Sequence, residues 1–324
     1  MNVDNKYILP LVTTDIQGTK NMEVFKDIIG QNEAIRKLIF FADSHSEKIP
    51  IPTLLFTGSQ GLGKSFMAQK IATALGREVV EVNCGTILTA KDFVEGVLLG
   101  KISGEACKTL LLDEAHKLSS EVTTILLTML NPTNQNKNHF AYKNWVIEYD
   151  FAKVNTILAT TDAHMIFRPL VNRCVEVYFR LYTNEDLYKI LSHYLPGINI
   201  TCDKEDVSYA CRGRARDAFL LSQHINRYCI RNSTNELNQE GWNVLKEIFG
   251  IHAYGLNSQE IEFLKVLEQS SPISCNNIAI RMGVNAQNIE SEIEIRPREL
   301  GFVESGTRGR CLTEEGMKYL KMTK

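Results

Sequence analysis

Apolar positions change their period along the chain. Between residues 32 and 43, Ala34, Ile35, Leu38, Ile39 and Ala42 recur at the spacing of one helix face. After Pro50-Ile51-Pro52 comes a short apolar run, residues 53–57, bounded by Gly58 and of the length of a buried strand. Similar runs at 79–82, 109–112 and 155–159 alternate with helical stretches at 65–75, 89–99 and 119–130. Thr89 and Ser119 stand where helix caps belong, and Asn131-Pro132 stops the last helix. Residues 134–138 read as a polar turn, and 145–149 alternate like an exposed hairpin strand. Strands alternating with helices predict an α/β fold with a parallel sheet.

From residue 183 the strand signal fades. Residues 184–194, 203–211, 215–229 and 241–249 read as helices and predict a small helical domain. A third unit begins near Tyr254-Gly255, with helices at 258–269, 276–282 and 286–300, Pro297 counting against the full length of the last. Two short strands, 301–304 and 310–313, flank a turn at 305–309. Three helices and a terminal hairpin are a winged helix-turn-helix pattern. The expected organisation is a tail at 1–24, an α/β domain at 25–180, a helical lid at 181–252 and a winged helix at 253–324.

Composition narrows the picture. A chain of 324 residues with formal net charge −2 is not a polybasic binder, although a local basic patch can still serve DNA. No apolar run approaches the length of a membrane helix, and the start lacks the pattern of a signal peptide, so a cytoplasmic protein is expected. The eight cysteines form no C-x-x-C pair and read as reduced thiols, mostly small core hydrophobes.

Gly58-Ser59-Gln60-Gly61-Leu62-Gly63-Lys64-Ser65 fits G-x-x-x-x-G-K-[ST] at every fixed position, with a strand before it and a helix after it. Gly58, Gly61 and Gly63 let backbone N–H groups curl around a triphosphate, with Leu62 and Phe66 beside them. Lys64 supplies charge for the β- and γ-phosphates, and Ser65 a hydroxyl for Mg²⁺. Downstream, Leu110-Leu111-Leu112-Asp113-Glu114 ends a buried strand in an acidic pair. Asp113 is the expected Mg²⁺ residue and Glu114 the carboxylate that polarises water. Together the motifs predict an ATPase using ATP and Mg²⁺.

At this point the sequence resembles the AAA+ ATPases and, within them, the RuvB family of Holliday junction branch migration motors. The resemblance runs from about Phe25 to Leu320. It is carried by Ile29-Gly30-Gln31, the phosphate loop, Asp113-Glu114-Ala115-His116, Ala159-Thr160-Thr161, Arg212-Gly213 with Arg216, and Arg308-Gly309-Arg310. It implies an AAA+ core, a helical lid and a C-terminal winged helix. It further implies that Thr161, with Thr160 as the rival, is the polar sensor and that Arg173 is the arginine finger offered to a neighbouring subunit. Arg216 is the implied second sensor, with Arg212 and Arg214 as rivals. Ile29 and Tyr182 are implied to lie near the base. In the winged helix, Arg296, Arg298, Arg308 and Arg310 form a local basic cluster for DNA, within a segment (255–324) of nine Lys and Arg against ten Asp and Glu.

Four positions depart from the family pattern. Ser59-Gln60 replaces a double proline, Val171 replaces the first arginine of the finger segment, and Asp162 stands where a basic residue is usual. The implied function is an ATP-driven motor that forms a hexameric ring of like subunits on double-stranded or branched DNA and translocates it in recombination and repair. Residues 134–149 would be the docking hairpin for a RuvA-like, junction-binding partner. The alternative is a loader or switch that assembles a protein partner on DNA without translocation.

Overall fold

The structure, a computed structural model, describes residues 21–104, 106–131 and 136–322. The first twenty residues of the expected tail, and Asn134 and Gln135 at the start of the expected docking hairpin, lie outside these residues. The chain divides between Tyr182 and Thr183 into two units.

The described strands of the first unit are β1 Leu54–Thr57, β2 Glu78–Asn83, β3 Lys108–Asp113, β4 Lys137–Tyr142, β5 Trp145–Asp150, β6 Val154–Thr160 and β7 Val175–Tyr178. Five of them make a parallel sheet in the order β2-β3-β6-β1-β7, as the alternation of strands and helices predicts. Side chains alternate across it. Leu55, Leu110, Leu112 and Leu158 join the core beneath the helix Ser120–Met129, while Leu54, Phe56, Leu111, Ile157 and Ala159 pack with the helices Asn32–Ser44 and Lys64–Ala74. Both faces are covered, which is why β1, β3 and β6 read as unbroken apolar runs.

The structure corrects the sequence reading in four places. Of the polar turn expected at 134–138, residues 134 and 135 lie outside the described residues, and Lys137 and Asn138 already belong to β4, whose reversal into β5 is at Lys143-Asn144, where Lys143 has φ 52°. The stretch at 89–99 is capped as expected, since Thr89 Oγ1 accepts from Asp92 N (3.2 Å) and Asp92 Oδ2 accepts from Thr89 N (2.9 Å). It is wound, however, as a π-helix over Asp92–Ile102. The helix expected at 286–300 is broken into Ala286–Asn288, a π-helical turn Ile289–Ile293 and Ile295–Glu299, with Pro297 in the first turn of the last piece, where a missing N–H costs no hydrogen bond. Finally, β7 carries too few apolar positions to show a strand pattern, because it is an edge strand in which only Val177 is buried.

The second unit holds the helices Asn184–His193, Lys204–Ala210, Ala215–Arg231 and Gln239–Phe249. They are followed by Ser258–Ser270 and Cys275–Met282, the wing strands Val303–Gly306 and Gly309–Leu312, and a closing helix Glu314–Met322. Thr183, Asp203, Asn238, Ser274 and Asn257 cap helices through their side chains, and Asn257 with Glu260 forms a full capping box. Ion pairs join the helical part to the winged helix. Arg212 grips Glu260 with both guanidinium nitrogens (Nη1–Oε2 3.0 Å, Nη2–Oε1 2.5 Å) and also donates to Gly255 O. At Gly255, φ is +71°, and a Cβ would collide with the Tyr209 carbonyl, so the connection fits against the helical part only as glycine.

Glu260 is only 1% exposed, so its charge depends on Arg212. Arg212→Met should destabilise the protein by about 3–5 kcal/mol, the cost of stranding a buried charge. Arg212→Met with Glu260→Leu should cost less than the single change. Urea unfolding of the second unit, followed by Trp242 fluorescence, checks both.

Candidate functional site

Gly58-Ser59-Gln60-Gly61-Leu62-Gly63 joins β1 to the helix Lys64–Ala74. Gly58 has φ +142°, and a Cβ there would lie 2.5 Å from the Phe179 carbonyl, so only glycine lets the loop leave the sheet at this point. Leu62 is buried and anchors the loop. Lys64, also buried, folds its ammonium back into the loop and donates to Gly58 O (2.6 Å) and Ser59 O (2.8 Å). Phe66 is half exposed, with Lys70 Nζ 5.4 Å from its ring centre. A helix N-terminus, a loop of free amides and a lysine directed into it are the chemistry of an anion cradle. Ser65 and Asp113 offer the hard oxygen ligands that suit Mg²⁺.

Asp113 ends β3, and Glu114 turns off it with φ 55°. Asp113 Oδ1 accepts from Glu114 N at 3.0 Å. The Glu114 carboxylate meets His116 Nε2 at 3.3 Å and Lys117 Nζ at 3.6 Å. On the neighbouring strand, Thr160 is fully buried and its hydroxyl touches His116 Nδ1 (3.0 Å) and accepts from Asp162 N (3.0 Å). Thr161 instead donates to Asp162 Oδ2 at 3.0 Å. The two threonines therefore differ: Thr160 is tied to His116, while Thr161 is held by the carboxylate of Asp162, the position that departs from the family. Sequence reasoning gave no role to His116.

Ile29 is half-buried and lies beside Gln31, whose side chain pairs with both backbone groups of Arg180 (Nε2 to O 2.7 Å; Oε1 from N 3.1 Å). Gln31 thus fixes the segment at Ile29 to the strand end after β7, a clamp visible only once both segments are in place. Tyr182 OH donates to Leu62 O at 3.1 Å, which puts its ring against the phosphate loop. Arg173 follows the short helix Arg168–Val171, donates to Pro169 O (2.7 Å) and Asn131 Oδ1 (3.3 Å), and keeps a buried Nε without a partner among the described residues.

In the second unit the three candidate sensor arginines separate. Arg212 is bound to Glu260, and Arg214 to Glu299 (2.9 Å) and Asp217 (3.9 Å). Arg216 is exposed and has no ion pair or hydrogen bond among the described residues. The wing cluster divides in the same way. Arg296 is buried, donating to Tyr254 O and Glu299, so it is corrected from a DNA contact to an internal prop. Arg310 is also engaged internally, by Glu294 (2.8 Å) and Glu290 (2.8 Å), and the Glu294 bond raises its pKa. Arg298 is half exposed beside Glu294 (3.2 Å), and Arg308 is exposed at the wing with no such partner among the described residues. The nearby exposed segment carries Glu290 and Glu292, both acidic.

At the hairpin tip, Trp145 is 63% and Val146 75% exposed, while Tyr142 and Lys143 are tied to Glu95. No helix among the described residues is long and apolar enough to cross a membrane. All eight cysteines are free, five of them buried, and burial pushes the Cys84 thiol up to about 12.

Glu294 is 3% exposed, and Arg310 supplies most of its pairing. Arg310→Ala should lower stability by about 2–3 kcal/mol, whereas Arg308→Ala should leave the melting temperature unchanged. Thermal unfolding of the two variants separates the structural arginine from the free one.

The model of the ATPase family associated with various cellular activities (AAA) matches residues 54–181, and that of the RuvB C-terminal winged helix domain matches residues 253–321. The Holliday junction branch migration complex subunit RuvB of Ehrlichia ruminantium is 25% identical over 308 residues, covering 91% of this chain and 90% of that protein. That of Campylobacter hominis is 26% identical over 333 residues, covering 95% and 93%. Among solved structures, a mutant of Thermotoga maritima RuvB superposes with TM-score 0.77 at 22% identity, over 92% of this chain and 97% of that one. The Thermotoga maritima RuvB Holliday junction branch migration motor does so with TM-score 0.75 at 22% identity, over 90% and 95%. The structural likeness speaks for the fold. The two domain matches, with relatives aligned over nearly the whole chain, support its identification as a RuvB-like AAA+ ATPase, an ATP-hydrolysing enzyme.

Proposed function

We propose that this ATPase is a DNA motor acting on branched double-stranded DNA in recombination and repair, working as a hexameric ring in the cytoplasm. The observation that carries the reading is the combination, in one chain, of an AAA core with a RuvB-type winged helix, aligned over nearly the whole length of the branch migration subunits. Water attacks the γ-phosphate in line. Lys64 neutralises phosphate charge, Ser65 and Asp113 hold Mg²⁺, and Glu114 polarises the water, with Thr161 orienting it. Arg173 acts on the site of the neighbouring subunit, and Arg216, the free arginine of its segment, acts from the lid. The exposed pair Arg308 and Arg298 contacts DNA phosphates, and the hairpin tip with Trp145 and Val146 receives a RuvA-like partner.

One observation favours the second reading, a loader or switch that assembles a protein on DNA. The face carrying Glu290 and Glu292 is acidic and would repel phosphates. Glu290 is already paired with Arg310 (2.8 Å), which weakens that objection, and translocation is the reading adopted.

Steady-state ATPase with no DNA, linear duplex and a four-way junction tests it. DNA should stimulate the wild type, and Lys64→Ala should be silent. Arg173→Ala should lose about 10³-fold or more, and mixing it with Lys64→Ala should restore part of the activity, because each supplies what the other lacks across a subunit boundary. No response to any DNA, with Arg173 dispensable, would favour the loader. Arg308→Ala should weaken duplex binding and reduce its salt slope by about 1.

A further inference from the structure

His116 lies between the expected lytic carboxylate and the sensor strand, and its two ring nitrogens face one of them each. The ring nitrogen Nε2 faces two carboxylates, with Glu114 Oε2 at 3.3 Å and Asp162 Oδ2 at 4.0 Å. At the other nitrogen, Thr160 Oγ1 lies 3.0 Å from Nδ1 and already accepts the Asp162 N–H at 3.0 Å. The contacts form a chain: Asp162 N–H donates to Thr160 Oγ1, Thr160 Oγ1 is hydrogen-bonded to His116 Nδ1, and His116 Nε2 lies at ion-pair distance from Glu114 Oε2. The chain is well shielded, since Thr160 is 1% exposed and the His116 side chain 13%. Hydrogen bonds in such surroundings are stronger and more directional than in water.

We propose that His116 is a positioning residue for ATP hydrolysis. It fixes the Glu114 carboxylate relative to the end of β6, so that the group polarising water and the strand carrying the sensor threonines move as one. Glu114 sits in left-handed backbone geometry (φ 55°) at the first residue after β3, and its other charged neighbour, Lys117 at 3.6 Å, is half exposed and leaves the carboxylate room to swing. The imidazole supplies the missing restraint. Unlike the phosphate loop, it touches no group assigned to the nucleotide, so its removal should alter turnover and not ATP binding. The inference rests on the ATPase assignment of Glu114.

Steady-state kinetics of His116→Ala, His116→Gln and Thr160→Val test it, with the Kd for a fluorescent ATP analogue as the check that each variant is folded and binds. His116→Ala should lower kcat about 10- to 100-fold, the usual range for a residue that orients a catalytic group. KM and analogue affinity should stay within about twofold of wild type. His116→Gln, whose amide N–H reaches towards Glu114, should recover a large part of kcat. Thr160→Val, nearly isosteric, should lower kcat, and His116→Ala with Thr160→Val should be no worse than His116→Ala alone, because both break one chain. A kcat unchanged in His116→Ala, a loss equal in Ala and Gln, or full additivity with Thr160→Val would overturn the proposal. If Glu114→Gln retains wild-type turnover, the assignment of Glu114 has failed instead, a result distinct from any of these.

Discussion

The insertion of β6 between β3 and β1 is the constraint on which the first unit depends. Parallel pairing sets Leu112 against Leu158 on one side and Thr57 against Thr160 on the other. Those registers bring three chain ends to one edge of the sheet: the start of the phosphate loop after Thr57, the acidic pair after Leu112, and the threonines that close β6. The groups are distant in sequence and arrive together because parallel strands all end on the same side. The four residues of β1 and the seven of β6 are all buried, so the edge is held by core packing on both faces and not by contacts within the site.

A different economy governs the second unit. There charge is used internally: Arg212, Arg214, Arg296 and Arg310 all reach acidic partners, and two of those partners, Glu260 and Glu294, are almost fully buried. Isolated surface pairs contribute little to stability, but a buried carboxylate without its arginine is costly. The winged helix therefore carries nearly balanced charge without being a weak binder by necessity. Four of its ten acids, Glu260, Glu290, Glu294 and Glu299, are counterparts of arginines in the described residues, while Arg308 stays exposed at the wing.

The sequence showed the sheet, the phosphate loop and the acidic pair because each is a local pattern: an apolar run of strand length, glycines at fixed spacing, a carboxylate at a strand end. Arg296 and Arg310 could not be sorted from Arg308 in the same way. Whether an arginine is surface or strut depends on Glu294, Glu299 and the Tyr254 carbonyl, and proximity of that kind has no signature in composition or spacing. Gln31 clamping Arg180 across 149 positions is hidden for the same reason. The edge strand β7 and the π-helical winding over Asp92–Ile102 were missed for another. Both are set by tertiary context, through pairing with β1 in one case and packing of Phe93, Val94 and Leu98 in the other.

The five residues from Arg212 to Arg216 combine internal ion pairs with one exposed guanidinium. Arg212 and Arg214 tie this segment to Glu260 and Glu299 of the winged helix, and Arg216, two residues on, begins the exposed face of the helix Ala215–Arg231. A displacement imposed at Arg216 is therefore carried to the winged helix by a bidentate, buried ion pair and a second partly shielded one, as well as along the chain. The covalent route alone, through residues 232–257, would pass by way of the turn at Ser233 and the connection around Gly250, each in left-handed geometry and free of such pairs among the described residues. The shorter route through the arginines is stiffer because its guanidinium–carboxylate geometry is fixed in two directions at once. Sequence proximity of the three arginines is then a mechanical feature: the exposed Arg216 lies two positions from Arg214 and four from Arg212, which are tied to the winged helix.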